Sequence, residues 1–288
     1  MNFISSKELL ALCEEKNYTF SEAMLEREIE LFHHSETKVL GQMAHAYDIM
    51  KKAVKRALTE ELVSMGGLIG GESKKLFFKE ESSVCGDLMR KAISYAVGVL
   101  EVNSSMGLIV AAPTAGSSGV IPGALIAVQE AFHLSEEQMV KALFNAGAVG
   151  YLITRNATVS GAEGGCQAEV GAASAMAASA VCELRGGTPK QCLDAASTAL
   201  TNIIGLVCDP IAGLVEAPCQ KRNAMGVANA LISAEMTLCG ISHLIPFDET
   251  VEAMYRVGHS MPSELRETAL GGVASTPTAC QLCKGIFE

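Results

Sequence analysis

The chain has 288 residues, of which 49% are hydrophobic and 5% aromatic, and its formal net charge is −10. This length suits one large domain or two small ones, and the apolar fraction is sufficient for a substantial core. The negative charge argues against nucleic acid or an anionic membrane as the main partner. Because Gly and Ala are abundant and Trp is absent, we expect closely packed helices.

The N-terminal stretch carries acidic residues instead of a signal-peptide pattern. Glu8, Glu14 and Glu15 interrupt its apolar residues, whereas a secretory signal has a basic start and an uninterrupted apolar segment. We therefore expect a cytoplasmic protein. In that reducing compartment the 10 cysteines are not expected to form a disulfide framework.

Two capping patterns predict the first helices. Ser5 with Glu8 opens a short helix, and Thr19 with Glu22 opens a longer one. Apolar residues continue at three- and four-residue spacings through 21–62, so a single long helix is predicted there.

A glycine-rich stretch, "MGGLIGGESKKLFF" at 65–78, then breaks the helical pattern. Its glycines and the lysine pair after them suggest a phosphate cradle, but the spacing matches neither a P-loop nor a dinucleotide fingerprint. A glycine-lined turn against the core is the favoured interpretation.

Helical periodicity predicts most of the remaining chain. It covers seven segments: 84–101, 120–132, 135–150, 166–185, 188–205, 223–243 and 248–258. Ser135 with Gln138, and Thr188 before Pro189, mark two clear helix starts. The best alternating run, "GLIVAAP" at 107–113, is ambiguous, and no βαβ rhythm appears. The predicted fold is all-α: a single domain over 1–288, with chemistry on the loops between helices.

The longest uncharged run lies between Glu101 and Glu130. It contains Pro113, Pro122 and a Thr-Ala-Gly-Ser-Ser-Gly cluster, which a lipid-exposed helix tolerates poorly. We predict that this run is buried protein interior, not a membrane span.

The cysteines fall into two groups by context. Cys13, Cys182, Cys192 and Cys239 lie in helical apolar patterns, so core packing is predicted for them. The sequence has no paired C-x-x-C zinc pattern, and its one C-x-x-C, at 280–283, lies near the C-terminus. The other cysteines that stand out occupy loops.

The loop "APTAGSSGVIPG" at 112–123 places small hydroxyl residues and glycines before a helix. Backbone N–H groups at a helix start, together with hydroxyls, can hold a carboxylate or a phosphate. A capped turn explains the same composition, and both interpretations stay open.

Two further loops carry three cysteines. Cys166 follows a glycine pair and opens a predicted helix, where a thiolate is electrostatically stabilised. In "GLVCDPIAGLVEAPCQKRN", 205–223, prolines break the span from Cys208 to Cys219. We expect a bent segment with fixed thiols, followed by the cations Lys221 and Arg222, which can meet an anionic cluster or a substrate carboxylate.

Three loop thiolates leave a metal site one ligand short. On a [4Fe–4S] cluster they leave one iron open, and an open iron can act as a Lewis acid toward a hydroxyl, as a dehydratase requires. A three-cysteine zinc site is the rival interpretation, because dispersed ligands say little about which metal they bind.

The motifs "PTAGSSGVIPG", "SGAEGGCQAEVG" and "CDPIAGLVEAPCQKRN", in that order, resemble the catalytic α chain of bacterial iron–sulfur-dependent L-serine dehydratases. "LGGVASTPTAC" resembles the C-terminus of that family, and the likeness runs from about residue 60 to 280. The resemblance implies a mostly helical catalytic domain that converts L-serine to pyruvate and ammonia without pyridoxal phosphate. It also implies a [4Fe–4S] cluster on Cys166, Cys208 and Cys219, and a heteromer with a small β chain.

A physical hypothesis about the mechanism then assigns roles within the loops. Thr114, Ser117, Ser118 and Gly119 would hold the substrate carboxylate, with Ser117 and Lys221 as catalytic candidates and Arg222 and Asn223 as further substrate contacts. The base stays unassigned. Some relatives end on a cysteine that reaches the open iron, so Cys280 or Cys283 is the candidate fourth ligand. A related L-cysteine desulfidase, and a non-catalytic zinc-stabilised subunit, are the alternatives.

Overall fold

Side-chain caps start several helices in the computed structural model, which describes residues 2–287. Those residues form thirteen α-helices and no strand. The helices are α1 (Ser6–Lys16), α2 (Phe20–Phe32), α3 (Glu36–Thr59), α4 (Glu72–Phe77), α5 (Gly86–Ser104), α6 (Val120–Phe132), α7 (Glu136–Asn156), α8 (Gly161–Gly164), α9 (Ala172–Leu184), α10 (Pro189–Thr201), α11 (Cys219–Leu238), α12 (Phe247–Ser260) and α13 (Pro277–Phe287). The all-α prediction is confirmed.

The predicted N-terminal caps are present. Thr19, Ser135 and Thr188 each form a reciprocal capping box with the residue three positions later. Ser5 accepts a hydrogen bond from the backbone N–H of Glu8, but the Glu8 carboxylate bonds back to Ile4 instead of Ser5. These caps satisfy N–H groups that have no partner inside the helix.

The single long helix predicted over 21–62 is wrong. The chain forms α2 and α3 instead, because His33 adopts a left-handed conformation (φ 51°) that ends α2. Ser35 then accepts a hydrogen bond from the N–H of Lys38 and starts α3. Apolar periodicity continued across the break, so the periodic pattern alone did not reveal it.

Two other predicted boundaries differ from the structure. The helix predicted at 223–243 begins four residues earlier, at Cys219, and ends at Leu238. Core burial is therefore wrong for Cys239, which lies just past the helix end and is exposed, while Cys13, Cys182 and Cys192 are buried as predicted. The segment 107–113 is not a strand, and α4 and α13 had no predicted counterpart.

The core is built around α9, "AASAMAASAVCEL". Its residues 172–182 are all buried, and α6, α7, α10 and α11 pack against it. Alanine side chains allow this close approach, and buried polar groups tie the helices together. Asn229 of α11 donates to Ser174 Oγ on α9 (2.8 Å) and to the Ala199 carbonyl on α10 (2.7 Å). Among the described residues, no helix is both long and apolar enough to cross a membrane.

Candidate functional site

Three buried thiols reach one region from three parts of the chain. Cys166 precedes a π-helical turn (Gln167–Gly171) that leads into α9, Cys208 lies on the loop after α10, and Cys219 is the first residue of α11. Their exposed fractions are 3%, 3% and 8%. The bent segment predicted between Cys208 and Cys219 is confirmed, with a 3₁₀ turn at Ile211–Gly213.

The three thiols are close enough for their charges to interact. Burial raises the pKa of Cys166 and of Cys219 to about 12 each, and Arg222 opposes the rise in both. The pKa of Cys208 is also raised, first by burial and then by Cys166, Glu169, Glu267 and Cys219. The thiols are therefore protonated on their own. A metal that binds them displaces those protons.

Arg222 is the cation of this region. One of its nitrogens (Nη2) lies 2.6 Å from Oδ1 of Asp209, and another (Nη1) donates to the Val207 carbonyl at 2.7 Å. Asp209 is 1% exposed. Asp209 therefore holds the Arg222 guanidinium beside Cys166 and Cys219. The two side chains also link the residues on both sides of Cys208.

The segment that leads into the C-terminal motif "LGGVASTPTAC" bonds to Cys208, and the motif itself bonds to Asp209. The Cys208 N–H donates to the Leu265 carbonyl (2.9 Å), and the Glu267 N–H donates to the Cys208 carbonyl (2.7 Å). Asp209 Oδ2 accepts from the Val273 N–H at 2.6 Å. A Cβ on Gly272 would lie 2.1 Å from that same oxygen, so only glycine fits there.

Glu169 lies at the centre of these loops. Its Oε1 accepts from Thr114 Oγ1 at 2.8 Å, and its Oε2 lies 3.8 Å from the Cys208 sulfur. Burial raises its pKa, and the Thr114 hydrogen bond opposes that rise. A Cβ on Gly161 would lie 2.6 Å from Oε2 and 2.9 Å from the Cys208 sulfur. Gly161 therefore leaves room for both groups.

The hydroxyl loop packs against the start of α11. Ser117 Oγ and Thr114 Oγ1 are 3.1 Å apart, and Ser118 Oγ donates to the Ala115 carbonyl (2.7 Å). Asn223 Oδ1 accepts from the Gly119 N–H at 3.0 Å, and its Nδ2 donates to the carbonyls of residues 116 and 219. Asn223 thus joins the loop to Cys219. Whether these residues also bind substrate stays a prediction.

The glycine-rich stretch holds a carboxylate of this same chain. Glu216, 2% exposed, accepts from the Gly66 N–H (2.6 Å), the Leu68 N–H (3.0 Å) and Ser64 Oγ (2.6 Å). The favoured glycine-lined turn is therefore confirmed. Its N–H groups form an anion-binding concavity of the kind expected for phosphate, but the anion is internal. Glu216 precedes Cys219 by three residues, so these hydrogen bonds hold the backbone that leads into Cys219.

Two further carboxylates, Glu72 and Glu101, contact Gln220, the residue after Cys219. Gln220 Nε2 lies 3.2 Å from Glu72 Oε2 and 3.2 Å from Glu101 Oε1. Among the described residues, no donor reaches the other oxygen of Glu101. Burial and the neighbouring Glu72 raise the pKa of Glu101 to about 7, although the hydrogen bond from the Ser73 N–H opposes this rise. A protonated Glu101 can then pair with Glu72.

The remaining predicted site residues lie at the edge. Lys221 is exposed on α11, and within 2–287 its side chain forms no hydrogen bond or ion pair. Cys280 is exposed and Cys283 half-buried on α13, which packs on the Ile211–Gly213 turn between the two loop thiols. The catalytic part of Lys221 and the fourth-ligand part of Cys280 or Cys283 stay predictions.

In the described part of the chain, no three His, Cys, Asp or Glu side chains converge closely enough to hold one metal ion. The donors themselves are nevertheless three free, buried thiols, two of which lie within the influence of Arg222. Thiols are ligands of both iron–sulfur clusters and zinc.

Sequence reasoning missed Glu169, Asp209, Glu216 and Glu101. A sequence signal was available for Glu169, Asp209 and Glu216. Each is a carboxylate inside an apolar or glycine-rich motif that also contains one of the three site cysteines. A charge in such a setting is buried only with partners. Glu101 had no such signal.

The comparisons with known proteins agree along the whole chain. The family described as serine dehydratase alpha chain matches residues 15–274. A Bacillus subtilis protein named probable L-serine dehydratase, alpha chain, is 49% identical over 99% of this chain and 95% of its own length. A Peptoniphilus asaccharolyticus L-serine dehydratase, alpha chain, is 45% identical over 99% of this chain and 98% of its own.

A longer relative differs in extent. Escherichia coli L-serine dehydratase 1 is 35% identical over 94% of this chain, but the match covers 61% of that protein. The remaining part of that protein lies outside its match to this chain.

Proposed function

The chain belongs to the serine dehydratase alpha chain family, and from this premise we propose that it is the catalytic α subunit of an iron–sulfur L-serine ammonia-lyase. The reaction is the dehydration and deamination of L-serine to pyruvate and ammonia. The observation that carries the proposal is that Cys166, Cys208 and Cys219 are all buried in one region and interact with one another and with Glu169, while Arg222 acts on two of them.

We assign a [4Fe–4S] cluster to these three thiols. When bound, it would supply a Lewis acid that makes the substrate hydroxyl a better leaving group. Arg222 favours the thiolate forms of Cys166 and Cys219, and its ion pair with Asp209 keeps it in place. Burial keeps water away from the sulfurs, as an oxygen-sensitive centre requires.

The loop residues would orient the amino acid. Thr114 and Ser117 place two hydroxyls side by side. Because Thr114 donates its one proton to Glu169, the Ser117 hydroxyl is the one suited to donate to the substrate carboxylate, with Thr114 positioned beside it. Glu169 Oε1 already accepts from Thr114, so Oε2 is the oxygen left for the substrate ammonium group. Glu169 and the carboxylate contacts would thus hold the two charged ends of serine apart. The group that takes the Cα proton stays unassigned.

A β chain is part of the proposal. The relatives that match this chain nearly end to end are named alpha chains, and the Escherichia coli relative carries additional sequence in one polypeptide. We propose that a separate β chain supplies the equivalent part here.

The test compares two substrates under anaerobic conditions. The protein, purified anaerobically with its β chain, should release pyruvate from L-serine and no more than a trace of sulfide from L-cysteine. Sulfide release as the main activity would favour the desulfidase alternative. Inactivity toward both substrates, with iron bound, would contradict the proposed reaction.

A further inference from the structure

An exposed apolar surface borders the candidate site. It consists of Val63, Met65, Met106 and Leu108, on two neighbouring loops, and each side chain is between 70% and 77% exposed. The loops are joined by a hydrogen bond from the Met65 N–H to the Ser104 carbonyl at 2.9 Å. Single exposed apolar side chains are common on protein surfaces, whereas several on adjacent loops are suited to an interaction site. These four residues are called the rim surface below.

The segment next to the rim surface has unused backbone groups. Residues 108–112 are not helical, and no N–H or carbonyl among them bonds to another described residue. Ile109, Val110 and Ala112 pack partly against the core, which holds the segment in place. A fixed segment with unpaired donors and acceptors is a template for an added strand.

The rim surface is continuous with the candidate site. Its segment runs through 113 into the hydroxyl loop, where Thr114 contacts Glu169. Its other loop contains Ser64 and Gly66, which hold Glu216. Ser104 Oγ, between the two, donates to the Val215 carbonyl at 2.7 Å. A protein bound here would therefore lie beside the segment that carries two of the three thiols.

We propose that the rim surface docks the β chain, through an extended apolar segment of that chain that pairs with residues 108–112. This inference rests on the proposed heteromer. The longer Escherichia coli relative supports the choice of occupant, because its additional sequence is covalently joined to an equivalent of this chain and is therefore held near it. The apolar side chains would give affinity by burial, and the backbone groups would give direction to the added segment.

The first test measures binding of the full-length chain to a tagged β chain cloned from the same genome. Leu108→Asp should weaken binding by about tenfold or more, because it places a charge where a leucine is buried in the complex. Met65→Asp should act alike. The matched control is Leu244→Asp, at a leucine that is 90% exposed on the loop between α11 and α12. Thermal unfolding of all three variants checks that they fold.

Amide hydrogen exchange reports the pairing itself. In the free chain residues 108–112 should exchange fast, and the β chain should slow them at least about tenfold, since pairing protects N–H groups. Unchanged exchange there, in a complex that forms, would overturn strand pairing.

The outcomes separate the two proposals. If the unaltered chain does not bind the β chain, the proposed heteromer fails. If it binds and all three variants bind equally well, the heteromer stands and the rim surface is wrong. If Leu108→Asp instead breaks up an oligomer of this chain alone, the occupant is a second copy, which contradicts the proposal.

Discussion

Six buried cysteines form two contrasting groups. Cys13, Cys182 and Cys192 are no more exposed than the three loop thiols, and all six are free. The groups that act on Cys13 and Cys192 are thiols, carboxylates and an amide, whereas Arg222 acts on Cys166 and Cys219. Burial therefore does not identify a metal thiol. A nearby cation and a place on a loop or at the start of a helix distinguish the site cysteines from the core cysteines.

The two groups are also held differently. The core thiols lie on helices, Cys182 and Cys192 on the alanine-rich α9 and α10, while buried carboxylates hold the loops that border the site thiols. Substitutions in the two regions should therefore fail in different ways.

The largest expected contrast is between Cys208→Ala and Cys192→Ala. Cys208→Ala should lose the iron and lower serine dehydration by at least about 100-fold, because a cluster ligand is gone. Cys192→Ala should keep its iron and lose only some stability, about 1–2 kcal/mol, from a small cavity. Iron analysis, activity and thermal unfolding of both variants check this. Equal iron content in the two would remove the distinction.

The next contrast concerns the support of Cys219. Glu216→Gln should lower the melting temperature by about 3–8 °C, because an amide presents donors to the N–H groups of the glycine-rich stretch. Glu252→Gln is the control, since that exposed carboxylate only pairs with Arg256 along α12 and should change the melting temperature by less than about 2 °C. A similar change in both variants would mean that the glycine-rich stretch does not depend on Glu216.

The smallest expected effect is a pH dependence at Glu101. Its pKa is raised from 4.5 to about 7 by burial, so folding favours the protonated form. The stability from this group is complete below pH 4.5 and is lost as pH rises through about 7. Glu101→Gln stays neutral, and its melting temperature should fall less than that of the unaltered chain between about pH 5 and about pH 8.

The control for this measurement is Glu80→Gln, at an exposed residue outside the helices. Its melting temperature should follow the unaltered chain at every pH. A Glu101→Gln variant with the same pH slope as that control would show that Glu101 is ionised throughout.

Local patterns were sufficient for much of the fold. Thr19, Ser135 and Thr188 bond to groups three residues away, so the sequence displays each cap directly. The broken pattern between Cys208 and Cys219 was likewise visible in its prolines. The end of α2 was not visible in the sequence, because His33 adopts a left-handed conformation that the presence of a histidine does not predict.

The supports of the site depend on contacts between distant residues. Glu216 meets Gly66 across 150 positions, and Gln220 meets Glu101 across 119. Tertiary folding alone creates these pairs, so neither composition nor periodicity could reveal them. The three thiols themselves were found because cysteines in glycine- and proline-rich loops stand out, while the carboxylates around them did not.

The central claim is that the loop thiols carry an iron–sulfur cluster and the core thiols do not. The most direct test is metal and acid-labile sulfide analysis of the anaerobically purified, unaltered protein. We predict about four irons and about four sulfides per chain, with visible absorption that air bleaches. Stoichiometric zinc without iron or sulfide would contradict the claim.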